Sequence, residues 1–139
     1  MNEKSSDSNK IEWCDILSWG EEQLQDLRFI GYAYIKQGKY DVALSFFEAL
    51  VAVNPSSIYD VQTLGAIYLQ RQENTKALFY LNQALKLNAR HLPTKINRCK
   101  ALLCLGRKTE GLEIARELKE SKDPDISSVA SALLLSYSR

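Results

Sequence analysis

Among the 139 residues there are only three prolines, three cysteines and one histidine, and each scarcity removes a class of chemistry. The lone histidine, His91, has no cysteine or aspartate cluster near it with which to build a zinc site. It sits beside Pro93 at an expected helix start, where a capping or exposed role outweighs a catalytic one. No Ser/His/Asp grouping and no glycine-rich phosphate loop is visible, and the carboxylates read as scattered over helix faces. Cys14, Cys99 and Cys104 are odd in number and lack CxxC spacing, which suits packing residues in a reducing compartment better than a disulfide framework. An enzyme is not expected, nor a metal or other cofactor.

Long apolar runs are missing too. Nothing approaches the roughly 18 consecutive apolar residues that a membrane span needs, so no stable membrane insertion is expected. The N-terminal MNEKSSDSNK is polar, lacks the apolar core of a secretory signal and reads as disordered over 1–8. The expectation is a soluble cytoplasmic protein.

Acidic residues are missing from one stretch. Between Glu73 and Glu110 there is none, while Lys76, Lys86, Arg90, Lys95, Arg98, Lys100, Arg107 and Lys108 fall in that gap. Residues 1–60 carry a net charge near −5 and residues 61–139 near +6, although the whole chain is only +1. Two readings stay open for the basic stretch: solvated helix faces, or a surface for an acidic partner. Nucleic acid is not the expected partner, because helical repeats that read bases need many units and a strongly basic domain.

What the chain does have is a repeat. Gly31 and Tyr34 reappear as Gly65 and Tyr68, Ala43 as Ala77, and the bulky Phe47 as Leu81, every pair at the same offset. A small residue on the first helix of a pair and another on the second set a close crossing, and the large residues fill the hollows beside it. Lys36-Gln37-Gly38-Lys39 reads as a helix stop and turn. Asn54-Pro55 closes the first pair, and Ser57 with Asp60 resembles a capping box opening the next helix. This places helices near 21–36, 40–53, 58–71 and 74–87. A third pair, near 93–104 and 108–121, keeps the periodicity but has Cys99, Leu102 and Gly111 where the earlier units have Gly, Tyr and Ala.

A period of about 34 residues, with Gly-x-x-Tyr followed at a fixed distance by Ala, resembles the tetratricopeptide repeat. The resemblance implies an all-α fold, a right-handed superhelical stack of about three helix hairpins at 24–57, 58–91 and 92–123. Asp123-Pro124 reads as an N-cap followed by proline at the first helical position, opening a capping helix over 124–139. A short helix over 9–20 carries Trp13 and Trp19. They either cap the first unit or form an oligomer contact, as homodimer or heterocomplex, since tryptophan area is costly to leave wet.

Stacked hairpins curve, and their first helices line a trough suited to a peptide. The outward positions of those helices are Arg28, Tyr32, Ile35 and Lys36 in unit one, Tyr59, Gln62, Ala66 and Leu69 in unit two, and Ile96, Lys100 and Leu103 in unit three. Ile35, Leu69 and Leu103 recur at one repeat position, either as semi-buried ends of core helices or as a row on which a ligand lies. Where heat-shock-binding tetratricopeptide proteins hold a terminal carboxylate with Lys and Asn, this chain has Arg28, Tyr32, Thr63, Pro93 and Asn97, a set that does not reproduce that clamp.

More narrowly, "YIKQGKYDVALSFFEALVAVNP", "LGAIYLQRQENTKALFYLNQALKLN" and "CLGRKTEGLEIARELKE" resemble the class II (LcrH/SycD type) chaperones of bacterial type III secretion. That resemblance implies a bacterial cytoplasmic chaperone whose trough holds an apolar segment of a translocator subunit. Tyr32, Ile35, Tyr59, Ala66, Leu69 and Leu103 would form its pockets. The C-terminal "KDPDISSVASALLLSYSR" is similar to the related needle-subunit chaperones, so translocator and needle clients both stay open. A general scaffold joining soluble partners is the alternative.

Overall fold

A computed structural model describes residues 20–138. The expected segment over 1–8 and the short helix with Trp13 and Trp19 that follows it lie outside the described residues. Within them run seven helices: α1 (Glu21–Lys36), α2 (Tyr40–Val53), α3 (Ile58–Gln70), α4 (Asn74–Leu87), α5 (Leu92–Cys104), α6 (Lys108–Lys119) and α7 (Pro124–Tyr137). They form three hairpins, α1/α2, α3/α4 and α5/α6, each stacked on the next, with α7 against α5 and α6. The right-handed helical stack is therefore the fold of this chain.

Each hairpin turns by the same device. Gly38 and Gly106 take left-handed backbone conformations with φ of 75° and 81°, and Gln72, at the matching turn of unit two, does so with φ of 63°. Around each of them the N–H just past the turn reaches back to a carbonyl of the preceding helix: Lys39 to Tyr34, Glu73 to Tyr68 and Arg107 to Leu102, all at 2.9 Å. That bond satisfies carbonyls which the helix end would otherwise leave without a donor. Between units, Asn54 and Asn88 accept from the backbone N–H of Ser56 and Arg90, at 3.1 and 3.0 Å, an Asx turn that redirects the chain.

The helix crossings show why the sequence repeats and where it stops repeating. In unit one, a Cβ on Gly31 would lie 2.7 Å from Phe47, and in unit two a Cβ on Gly65 would lie 2.9 Å from Leu81. The first helix thus supplies the hollow and the second the bulk, and Phe47 and Leu81 are both fully buried. Unit three reverses this. Cys99 and Ala115 stand where the others have glycine and the bulky residue, both at 0% exposure. Gly111 now supplies the hollow from the second helix, and a Cβ there would lie 2.6 Å from Leu103. The bulk at the crossing is redistributed between the two helices, a change that cores tolerate when total volume is kept. The Cys99 thiol also donates to the Gly111 carbonyl, 3.1 Å away.

α7 closes the stack. Asp123 accepts from the backbone N–H of Asp125 and Ile126 at 3.0 and 3.4 Å, so the expected N-cap before Pro124 is formed. Ile126 and Ala130 of α7 bury against Ile96 and Leu118, while Leu133, Leu134 and Tyr137 pack on Cys99, Leu103 and Leu112. One expected cap is absent: Ser57 makes no side-chain capping bond at the start of α3. Asp60, which the sequence pattern assigns to that box, is fully buried and engaged elsewhere.

Candidate functional site

The first helices α1, α3 and α5 are tied side by side by polar bridges that cross from unit to unit. Arg28 on α1 donates to both carboxylate oxygens of Asp60 on α3, at 2.6 and 2.7 Å. The Tyr32 hydroxyl meets the Thr63 hydroxyl at 3.1 Å. From α3 to α5, the Gln62 carbonyl accepts from the Asn97 amide at 2.7 Å. A buried carboxylate is tolerated only when paired and hydrogen-bonded, and the two-pronged guanidinium contact supplies both conditions. The carboxylate in turn holds the Arg28 guanidinium above its ordinary pKa, first through that hydrogen bond. Thr94, at the position in unit three that Asp60 holds in unit two, is equally buried but bonds instead to His91 Nδ1 at 2.8 Å.

These bridges decide which groove positions are open. Arg28 is committed to Asp60, its side chain only 16% exposed, and is not a free cation in the trough. Gln62 is half-buried and bonded to Asn97. Tyr32 shows 37% of its surface although its ring meets that of Phe47 edge-on, with centroids 5.1 Å apart. Tyr59 stands out at 64% exposure with His91 edge-on to its ring. Burial depresses the His91 pKa, so near neutral pH its imidazole is an uncharged partner for that ring. Ala66 is half-buried and Lys36 exposed. Between α1 and the start of unit two lies an open recess of about 420 Å³, bordered by Glu21, Gln25, Arg28, Tyr32, Asn54 and Tyr59.

The row Ile35, Leu69 and Leu103 does not behave as one row. Ile35 and Leu69 are half-buried and pack on the central core, whereas Leu103 is 5% exposed. The cause is the reversed crossing: with Gly111 in place of alanine, Leu103 turns into the hairpin. Ile96 is also buried, at 6%, under α6 and α7. The structure therefore brings Tyr32, Ile35, Lys36, Tyr59, Ala66, Leu69 and Lys100 to the accessible face and withdraws Ile96 and Leu103 from it. Glycine at 111, where units one and two have alanine, is the sequence signal for the withdrawal of Leu103, whereas Ile96 is covered by Leu118, Ile126 and Ala130.

At least half of the basic stretch is engaged within the fold. Lys76 meets Glu73, Lys95 meets Glu117 and Arg107 meets Glu110, while Arg98 donates to Asn82 at 2.7 Å. Among the described residues Lys86 and Arg90 are exposed without an ion pair. No group of three metal-ligating side chains that could hold a metal ion occurs among the described residues, and no described helix is long and apolar enough to cross a membrane.

Residues 29–57 and 62–91 match the model of the tetratricopeptide repeat. The chain carries tetratricopeptide repeats. The fold is similar to that of PcrH, from Pseudomonas aeruginosa, solved with the chaperone binding region of PopD. With that structure the TM-score is 0.77 at 21% identity, covering 87% of this chain and 95% of that one. The Yersinia enterocolitica chaperone SycD, in complex with a peptide of the translocator YopD, gives 0.70 at 21% identity over 84% and 96%. The yeast Sti1 TPR2AB domain with an HSP90 peptide gives 0.75 at 14% identity over 86% and 48%. A curated relative, anaphase-promoting complex subunit 3 of Schizosaccharomyces pombe, is 27% identical over 90 residues. Those residues are 65% of this chain but 14% of that protein's length.

Proposed function

We propose that this protein is a non-enzymatic holding chaperone of the bacterial cytoplasm. Its concave face clasps an apolar segment of an aggregation-prone type III secretion client, a translocator or needle subunit, and keeps it from associating prematurely. The observation that carries the reading is the division of labour on that face. Arg28, Asp60, Thr63, Gln62 and Asn97 there are consumed by unit-to-unit bridges, while the Tyr32 and Tyr59 rings, beside Ala66 and Leu69, remain open to an incoming chain. Burying three or four apolar client side chains at about 1.5–3 kcal/mol each supports micromolar binding once ordering costs are subtracted. Support also comes from the two bacterial neighbours, one solved with a peptide of the translocator YopD and the other with the chaperone binding region of PopD.

A second reading, a scaffold joining soluble partners, draws on the comparable likeness to the yeast Sti1 domain. Co-expression with each secretion substrate encoded beside the gene, followed by sedimentation, separates the two. The chaperone reading expects one apolar substrate to move from pellet to supernatant with this chain and to lose that solubility on Tyr59→Glu. A substrate equally soluble with and without the chain would overturn it.

A further inference from the structure

Five cations are half-buried among the described residues: Arg28, Arg71, Lys95, Arg98 and Lys100. Four have partners in the fold, namely Asp60 for Arg28, Asp41 and Glu73 for Arg71, Glu117 for Lys95 and Asn82 for Arg98. Lys100 has no ion pair and no hydrogen-bonded partner among the described residues. Its place is specific: it lies on α5 at the repeat position held by Tyr32 on α1 and Ala66 on α3, the middle row of the concave face. With no anion among the described residues to pair with, its ammonium is left for a ligand that brings a negative charge.

Building on the groove reading above, we infer that Lys100 is the specificity anchor of the groove and binds a carboxylate of the bound segment. The carboxylate chemistry follows from the neighbours. Arg28 is already saturated by Asp60, the Gln62–Asn97 bridge offers only neutral dipoles, and Lys36 is exposed to solvent at the last turn of α1, so Lys100 is the half-buried cation of the trough left for an acidic group. Spacing follows as well. Packed helices stand about 8–10 Å apart, so Tyr32 and Lys100, two helices apart, are separated by roughly 20 Å. An extended chain rises about 3.3 Å per residue, which puts the carboxylate about six residues from the apolar side chain that rests against Tyr32. Ala66, between them, leaves room for a second apolar side chain near the midpoint.

The test is selection from a random dodecapeptide phage library on the full-length chain, run in parallel on Lys100→Gln and Lys100→Glu. The glutamine variant keeps most of the side-chain stem, and a thermal melt confirms that it folds; if Lys100→Glu does not fold, Lys100→Gln alone decides. Wild type should enrich peptides with an apolar residue and an Asp or Glu about six positions apart. For the best peptide, Lys100→Gln should weaken binding about tenfold or more, the loss expected for a charge-assisted hydrogen bond. Lys100→Glu should shift selection toward Lys and Arg. Comparing that peptide with a free and an amidated C-terminus separates a side-chain carboxylate from a terminal one. Apolar peptides enriched without acidic preference, or bound equally by Lys100→Gln, would overturn the anchor and leave the holding function standing. Enrichment of no peptide at all would overturn both.

Discussion

Single residues set the stability of the turns and the chemistry of the core. Gln72 does in unit two what glycine does in units one and three, and its φ of 63° places a Cβ-bearing residue in a conformation that costs about 1–2 kcal/mol. Part of that cost returns as the larger entropy loss of glycine on folding. Gln72→Gly should therefore stabilise the fold by about 1 kcal/mol net, a rise of roughly 3–5 °C in melting temperature, measured by circular dichroism. Cys99 behaves as a buried apolar residue: burial pushes its thiol pKa from 9.0 to about 11. The folded form thus holds the proton more tightly than the unfolded chain, so the contribution of Cys99 to stability is constant below pH 9 and falls as pH rises from there toward 11. Under native conditions at about pH 8, near the usual thiol range, alkylation followed by peptide mass mapping should label the exposed Cys104 and spare Cys99. Equal labelling of the two would mean that the α5/α6 crossing opens.

At the scale of helices, the Arg28–Asp60 bridge fastens α1 to α3 across a unit boundary. Removing one side strands the other: Arg28→Ala leaves a buried carboxylate without its cation, a loss of about 3–5 kcal/mol. The double change Arg28→Ala with Asp60→Ala removes the stranded charge and should recover most of that loss in urea unfolding. A double variant no more stable than Arg28→Ala would place the cost in lost packing instead. This bridge also shows how far the sequence can be read. The hairpins are legible because the repeat period fixes both the crossing residues and the turns, and the helices begin and end close to their expected limits. Asp60 reads as a capping residue because a local S-x-x-D pattern gives no sign of a partner on the helix before last. Leu103 reads as outward because the periodicity extrapolates its position from Ile35 and Leu69, while the glycine that draws it inward sits on another helix. The N-cap at Asp123 is legible because all its partners lie within the first turn that follows it.

For the molecule as a whole, stability in a stack of this kind is a sum of units and the interfaces between neighbours. The central cluster draws on α1 to α5, and α7 shields the far end. Loosening one interface should therefore be felt mainly beside it. In Arg28→Ala, hydrogen exchange should accelerate across α1 and α2 while Leu78, Leu81 and Leu102 amides stay protected. Uniform acceleration along the chain would show that the stack opens as one cooperative body.

The exchange of bulk and hollow in the last hairpin also limits what can be recombined. A hairpin copied from the first or second slot into the third would bring glycine where Cys99 now stands and a large side chain where Ala115 now sits, while restoring alanine opposite an outward aliphatic residue. It would thereby offer α7 a different relief on which to settle. The slots are not equivalent bricks, and a chimera would keep its fit only if the closing helix travelled with the hairpin it was shaped to cover.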